Sequence, residues 1–460
     1  MKKMLLLALL CLTGRALAET PRLSVDFSQP AGTIRAIHGT NLWCRLSGDR
    51  ILDLTPETVR MRFPLVRLHD APLFNPGMRL VDTQHIFGNI HADPKDPANY
   101  YFEQTDHYIR RILDNGSKVL YRLGSSIEHT QVNYYAKRPD DMEKYAEICA
   151  GIVRHYNNKW ADGHEWGIEY WEIWNEPNLI PQMWNFKDFQ TYCDFYVIVA
   201  KRLRAEFPDI KIGGPAITWA DPKASEMLIK TCRDAGAPLD FFSWHCYART
   251  PGELLNPPAK LRALLDKYGF TQTELHLNEW HYFPAKWSEM HGREGGYQRK
   301  RYWLSAPEGL HGVDAAGFVG YVLSRWQDTP LTMSNYYATT SPGWGILNHD
   351  GEIRKPYYTF VAFADLVKNA PNRVKTEGTE NLSLLAGTGE NGVKMLLVSS
   401  WKWDCESLEI ALGGVPESGT VRVRRLDGTH NDMVETVNYT GSVLKITNAP
   451  GSFVLLVEWI

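Results

Sequence analysis

Cysteine is scarce in this chain, and its spacing pairs nothing. There are 7 Cys in 460 residues: Cys11, then Cys44, Cys149, Cys193, Cys232, Cys246 and Cys405, each standing alone. Without a CxxC spacing there is no sequence signature of a zinc or iron–sulfur centre, and no disulfide pairing can be assigned. Cys149 and Cys193 fall on apolar faces of predicted helices, where a thiol behaves as a small hydrophobe. Charge of one sign is also missing. Lys and Arg number 50 against 53 Asp and Glu, a net charge of −3. That balance gives no reason to expect nucleic acid or an anionic membrane as a partner. Beyond residue 18 no apolar run reaches the ~20 residues a membrane span needs. Internal repeats and low-complexity linkers are absent too.

The first residues have the pattern of a leader. Lys2 and Lys3 precede the apolar Met4–Leu12, and Ala16-Leu17-Ala18 is a small-x-small cleavage signal. The expectation is a signal peptide over 1–18, of bacterial type, and an exported protein, periplasmic or extracellular. Cys11 is not read as a lipid-attachment site, because the preceding Leu9 and Leu10 are large.

From about residue 36 to 370, short apolar runs alternate with helical patterns. The expected strands are Ile37–Trp43, Leu65–Ala71, Lys118–Gly124, Glu169–Trp174, Lys211–Ile217, Phe241–Tyr247, Glu274–Trp280 and Ala315–Leu323. Between them lie helical patterns starting at Met142, running from Asp188 to Phe207, and from Pro258 to Tyr268. Eight β-then-α units suit a closed (β/α)8 barrel of TIM type, with chemistry at the C-terminal ends of the strands. After residue 370 the runs Leu382–Leu385, Val393–Trp401, Leu408–Leu412, Val421–Arg425, Val443–Thr447 and Phe453–Trp459 are short and separated by Gly, Asn, Asp and Pro. They read as an antiparallel β-sandwich. Arg22–Phe27 also reads as a strand, so residues 19–35 are expected to join that sandwich.

Two strings carry the chemistry. Trp171-Glu172-Ile173-Trp174-Asn175-Glu176-Pro177-Asn178 puts a carboxyl at the end of an apolar strand, a poor choice for packing and a good one for a proton donor. Burial among the Trp and Ile side chains and a second negative charge would raise its pKa. Leu275-His276-Leu277-Asn278-Glu279-Trp280 has the same character 103 residues on. A pair of carboxyls at one barrel mouth is the equipment for cutting a glycosidic bond, with Glu176 as acid/base and Glu279 as nucleophile. The mechanism is retaining if the pair sits about 5–5.5 Å apart. By position, Arg67 could hold a carboxylate ionised, His69 could bind a hydroxyl, Tyr247 could bond the nucleophile, and His245 could orient it. Trp326 and Trp344, after the eighth expected strand, are candidate sugar platforms. Trp184, Trp219, Glu128 and His129 are further loop candidates. The 16 Trp fit a carbohydrate enzyme, although most aromatic rings belong to a core.

At these residues the chain resembles glycoside hydrolases of clan A, and family 39 most closely. Asn175-Glu176 matches the clan's Asn–acid/base pair, and Glu279 its nucleophile. Arg67, His69, His245 and Tyr247 match supporting positions of the family. Gly343–Gly351 with Lys355-Pro356-Tyr357-Tyr358 is similar to the family's passage into its last barrel helix. The resemblance implies a β-xylosidase or α-L-iduronidase, or another exo- or endo-glycosidase, with Asn175 on the hydroxyl beside the anomeric carbon. A uronic acid would need a basic partner, for which Arg249 and Arg325 are candidates. The leading expectation is an exo-acting retaining β-xylosidase that takes an oligo- or polysaccharide and needs no cofactor and no metal. The rivals are a non-catalytic carbohydrate-binding protein on the same scaffold and a metal-dependent hydrolase.

Overall fold

The computed structural model describes residues 23–44, 52–71, 80–127, 136–186, 188–290, 294–403, 407–447 and 451–460. The expected leader, Cys405, Glu128 and His129 lie outside them. Strand β1 (Leu23–Thr33) precedes eight parallel strands: β2 (His38–Asn41), β3 (Leu65–Leu68), β4 (Lys118–Leu123), β5 (Tyr170–Ile173), β6 (Lys211–Ile217), β7 (Phe241–Ala248), β8 (Glu274–Tyr282) and β9 (Met333–Tyr336). They form a closed barrel in that order, with β9 pairing back onto β2. The expected barrel with its antiparallel partner sheet is the fold.

Seven of the eight expected barrel strands form, and the eighth is displaced. Ala315–Leu323 is not a strand; it lies inside the helix Val313–Arg325, and the barrel closes with β9 instead. The helix misleads because it is apolar on nearly every side. It lies between the barrel and the second sheet, with all but Asp314 and Arg325 buried. Gly317 and Gly320 let it approach the strand Lys394–Trp403, since a Cβ at either would collide with Ser400 or Ser399. The true β9 is short and carries Ser334 and Asn335.

The second sheet is built from β10 (Asn372–Glu377), β11 (Leu382–Thr388), β12 (Lys394–Trp403), β13 (Ser407–Gly413), β14 (Gly419–Leu426), β15 (Asn431–Tyr439), β16 (Val443–Thr447) and β17 (Gly451–Trp459), with β1 between β10 and β13. Every pairing is antiparallel except that of β1 with β13. All nine strands feed one apolar core, from Leu23 and Val25 to Phe453 and Val457. Alternate residues, among them Leu385, Leu397 and Leu456, face the barrel and share its core. The ion pair Arg424–Asp365, at 2.6 Å, ties the sheet to the helix Lys355–Asn369. Among the described residues no helix is long and apolar enough to cross a membrane.

The barrel interior is layered at the strand period of two. At the bottom Leu65, Leu120 and Phe241 pack with Tyr170 and Met333. Two residues up each of four strands stand Arg67, Arg122, Glu172 and Ser243, all fully buried. The next interior step reaches His69 and His245. An apolar plug thus carries a polar layer, and the polar layer carries the mouth.

Candidate active site

Glu176 follows β5 on a backbone that ordinary residues rarely adopt. Trp174 has φ 75° and Glu176 has φ 48°, both left-handed. Bonds to neighbouring strand ends hold them there: Trp174 N–H donates to Leu123 O at 2.7 Å, and Glu176 N–H to Ala216 O at 2.9 Å. Trp174 Nε1 donates to Met183 O, and Asn178 exchanges hydrogen bonds with Thr218, so the turn is clamped on both sides. Strain held this firmly is the mark of a functional turn.

Glu279 comes from β8, where the pairing with β7 slips. Trp244 faces Leu277, but His245 faces Glu279. The extra residue, Asn278, re-aims the next side chain, as bulges beside active sites do. Asn278 Nδ2 points down to Glu172, while Glu279 turns up into the mouth.

Arg67 organises what lies beneath. Its Nε donates to Glu172 Oε2 at 2.7 Å, Nη2 to Asn175 Oδ1 at 2.6 Å, and Nη1 to Asn41 Oδ1 and Glu279 Oε2, both at 3.2 Å. Ser243 Oγ donates to Glu172 Oε1 at 2.7 Å. On the other side, Tyr247 O–H donates to Glu279 Oε1 at 2.5 Å. His245 Nδ1 lies 2.8 Å from Glu176 Oε1 and 3.6 Å from Glu279 Oε2. One oxygen of Glu176, one of Glu279 and the His245 nitrogen all fall within 4.8 Å of one another.

Environment separates the two carboxyls. Burial raises Glu176 to about 7; Asp70 adds to this, and Arg67 opposes it. Burial and the neighbouring Glu176 also raise Glu279, while Arg67 and the Tyr247 hydroxyl pull it back toward the charged form. Burial lowers His245 to about 4, so its ring is neutral near pH 7. The site therefore pairs a carboxyl that keeps its proton near neutrality with one whose anion has two donors aimed at it.

Three buried atoms around the pair have no hydrogen-bond partner among the described residues: Asn175 Nδ2, His245 Nε2 and His69 Nδ1. One wall of the mouth is aromatic. Trp344, in the loop after β9, lies 5.3 Å from the Tyr247 ring and stacks with Phe283 at 5.7 Å and with the exposed Trp287 at 6.0 Å.

The chain resembles the glycosyl hydrolases of family 39. The model of that family matches residues 79–259. A β-xylosidase of Geobacillus stearothermophilus is 24% identical over 232 residues, 44% of this chain and 45% of the relative. A β-xylosidase of Caldicellulosiruptor saccharolyticus is 24% identical over 350 residues, 70% of this chain and 65% of the relative. The chain thus spans about half to two-thirds of the length of these curated relatives. Among solved structures, a glucosidase from Croceicoccus marinus has a TM-score of 0.77 at 22% identity, covering 95% of this chain and 98% of that one.

The residues expected from sequence fall into two groups. Glu176, Glu279, Asn175, Arg67, His69, His245, Tyr247 and Trp344 come together at the mouth. Trp326 does not join them. It follows the helix Val313–Arg325 rather than a strand, is fully buried, donates its Nε1–H to Leu254 O and packs edge-on against Trp280. Trp184 is likewise buried, bonded to Thr191 Oγ1. Trp219 is exposed in the loop after β6. Arg325 bonds Tyr321 and Thr379, at the far end of its helix from Gly312. Arg249 is exposed just past β7. Asn41, Arg122, Glu172, Ser243 and Asn278, which build the polar layer with Arg67, are not among the residues expected from sequence. For Glu172, Ser243 and Asn278 the signal is a polar residue inside a largely apolar stretch of strand; Asn41, in the polar β2, carries none.

Proposed function

We propose that the protein is a retaining glycoside hydrolase in which Glu279 is the nucleophile and Glu176 the acid/base, with exo-acting β-xylosidase activity as the leading specificity. The observation that carries the mechanism is the approach of the two carboxyls, with oxygens within 4.8 Å. Retaining pairs stand about 5–5.5 Å apart, and inverting pairs leave about 6.5–9.5 Å for a water. In the first step the ionised Glu279 attacks the anomeric carbon, and Glu176 gives its proton to the departing oxygen. In the second, Glu176 takes a proton from water, which attacks the same carbon and frees Glu279. Arg67 and Tyr247 hold the nucleophile in line through both steps. Asn175 Nδ2, His245 Nε2 and His69 Nδ1 are the groups that meet sugar hydroxyls, since a buried polar atom without a partner costs free energy that such a contact restores. The aromatic wall at Trp344 offers a ring face.

The choice of sugar is supported by the curated β-xylosidase relatives, and the leader expected at 1–18 favours an exported enzyme acting on oligo- or polysaccharide. A panel of aryl glycosides, followed by proton NMR of the first-formed product, tests both parts. The expected result is hydrolysis of the aryl β-xyloside with the β-anomer appearing first. Initial release of the α-anomer would sink the retaining mechanism. Sugar binding without turnover on any glycoside would favour a carbohydrate-binding protein instead.

A further inference from the structure

A second cluster of chemistry-bearing side chains lies outside the mouth, between two outer helices of the barrel. Asp106 belongs to the helix Glu103–Asp114, His155 to the helix Met142–Asn158, and His164 to the loop that follows. His155 Nε2 is 3.0 Å from Asp106 Oδ1 and 3.2 Å from Oδ2, and His164 Nε2 is 3.2 Å from Asp106 Oδ2. The three donor atoms lie within 4.8 Å of one another.

The imidazoles are set up as ligands. The other nitrogen of His155, Nδ1, lies 3.1 Å from the Trp160 carbonyl. A carbonyl only accepts, so Nδ1 carries a proton, and Nε2 turns toward the carboxylate. This outer bond to a backbone carbonyl is what fixes the tautomer of a metal-bound His. His164 Nε2 is buried and forms no hydrogen bond among the described residues, although it faces an Asp oxygen. Both rings are locked by stacking: His155 on Phe102 at 3.5 Å, and His164 on Trp166 at 3.9 Å.

The backbone is bent to hold this arrangement. Lys159, Ala161 and Asp162 all have left-handed φ of 55–58°. Gly163 passes so close to His155 that a Cβ there would clash with its carbonyl and ring. Three such residues within four positions cost free energy that local contacts must offset. A cavity of about 330 Å³ opens onto the cluster, with Glu103 and Asp162 also in its wall.

We propose that Asp106, His155 and His164 form a zinc-type divalent metal site that pins the 159–164 loop to the two helices. Two imidazoles and one carboxylate suit a borderline-soft cation. Bonds of about 2.0–2.2 Å in a tetrahedron put neighbouring donor atoms ~3.3 Å apart, near the 3.0 and 3.2 Å separations found. The fourth position faces the cavity and takes water or one of its carboxylates. The role is structural, because the cluster is built from outer helices and not from strand ends.

The test uses the whole chain, stripped with a chelator, dialysed and titrated with Zn²⁺ by calorimetry, with metal analysis after gel filtration. The expected result is one zinc retained per chain and a higher melting temperature with zinc. His164→Ala and Asp106→Asn should each lose both effects, while Glu279→Gln keeps them. Asp106→Asn preserves shape, and circular dichroism of both variants shows whether they fold. No retained zinc in the parent chain overturns the proposal. So does zinc retained equally by the two folded variants, or zinc lost only in Glu279→Gln, which would move the ion to the Glu176–His245–Glu279 trio.

Discussion

Arg67 and Glu172 form a buried ion pair at 2.7 Å directly beneath the two mouth carboxyls, with neither side chain exposed. Breaking such a pair leaves one charge buried without compensation. Arg67→Met should therefore destabilise the fold by about 3–5 kcal/mol, read as a lower denaturation midpoint. The double variant Arg67→Met/Glu172→Gln should recover part of that loss, because the two residues are coupled. Strictly additive losses would show that the pair does not act as a unit.

Glu176→Gln separates proton donation from everything else. Turnover should fall by about 10²–10⁴-fold on glycosides with poor leaving groups and far less on activated aryl glycosides, which need no proton. An equal loss across leaving groups would remove Glu176 from the role of acid.

The same residue sets a pH dependence of both rate and stability. Its folded pKa, about 7, lies above the ordinary carboxyl value of 4.5, so folding favours the protonated form. Its contribution is full below about 4.5 and is lost as pH rises through about 7. The rate on poor leaving groups should decline through that window. Above it, Glu176→Gln should melt higher than the parent, by up to about 3 kcal/mol of stability. A parent chain as stable as the variant at pH 8 would contradict the burial cost.

Tyr247→Phe removes the hydroxyl that donates to Glu279 Oε1. A hydrogen bond to a charged group is worth about 1.5–3 kcal/mol, so kcat should drop about 10- to 100-fold. The acid limb of the pH profile should move to higher pH, because Glu279 loses a group that lowers its pKa. A lower kcat with an unmoved acid limb would mean that Tyr247 acts on substrate alone.

Gly124→Ala tests the strained turn without touching a carboxyl. Gly124 has φ 150°, and a Cβ there would come within 3.0 Å of Trp174 Cα and its ring. Activity should fall more than stability, because Trp174 and Glu176 share one left-handed turn. Unchanged kinetics would show that the turn tolerates displacement.

The parts visible in the sequence were those governed by local pattern. Short apolar runs between amphipathic helices gave seven barrel strands, and Asn175-Glu176 and Glu279 stood out as carboxyls in apolar company. The helix Val313–Arg325 did not separate from a strand, because a helix buried nearly all round loses the polar stripe that betrays its period. Trp326 was misplaced with it. β10 and β15 were missed because polar residues alternate through Asn372–Glu377 and Asn431–Tyr439, which lie largely exposed. The layer of Asn41, Glu172, Ser243 and Asn278 depends on which residues of different strands share a level, and that is set by barrel closure. Asp106, His155 and His164 meet only because two helices and a bent loop converge.

The position of β1 has a consequence for synthesis. Its register partners in β10 and β13 run from Asn372 to Gly413, more than 330 residues downstream. β1 must stay unpaired until those partners have been made. Leu23, Val25 and Phe27 are then apolar groups without a core, a natural target for a holding chaperone. A fragment ending before β10 would keep that sticky edge for good, so the barrel expressed alone should aggregate unless β1 is trimmed with the sheet.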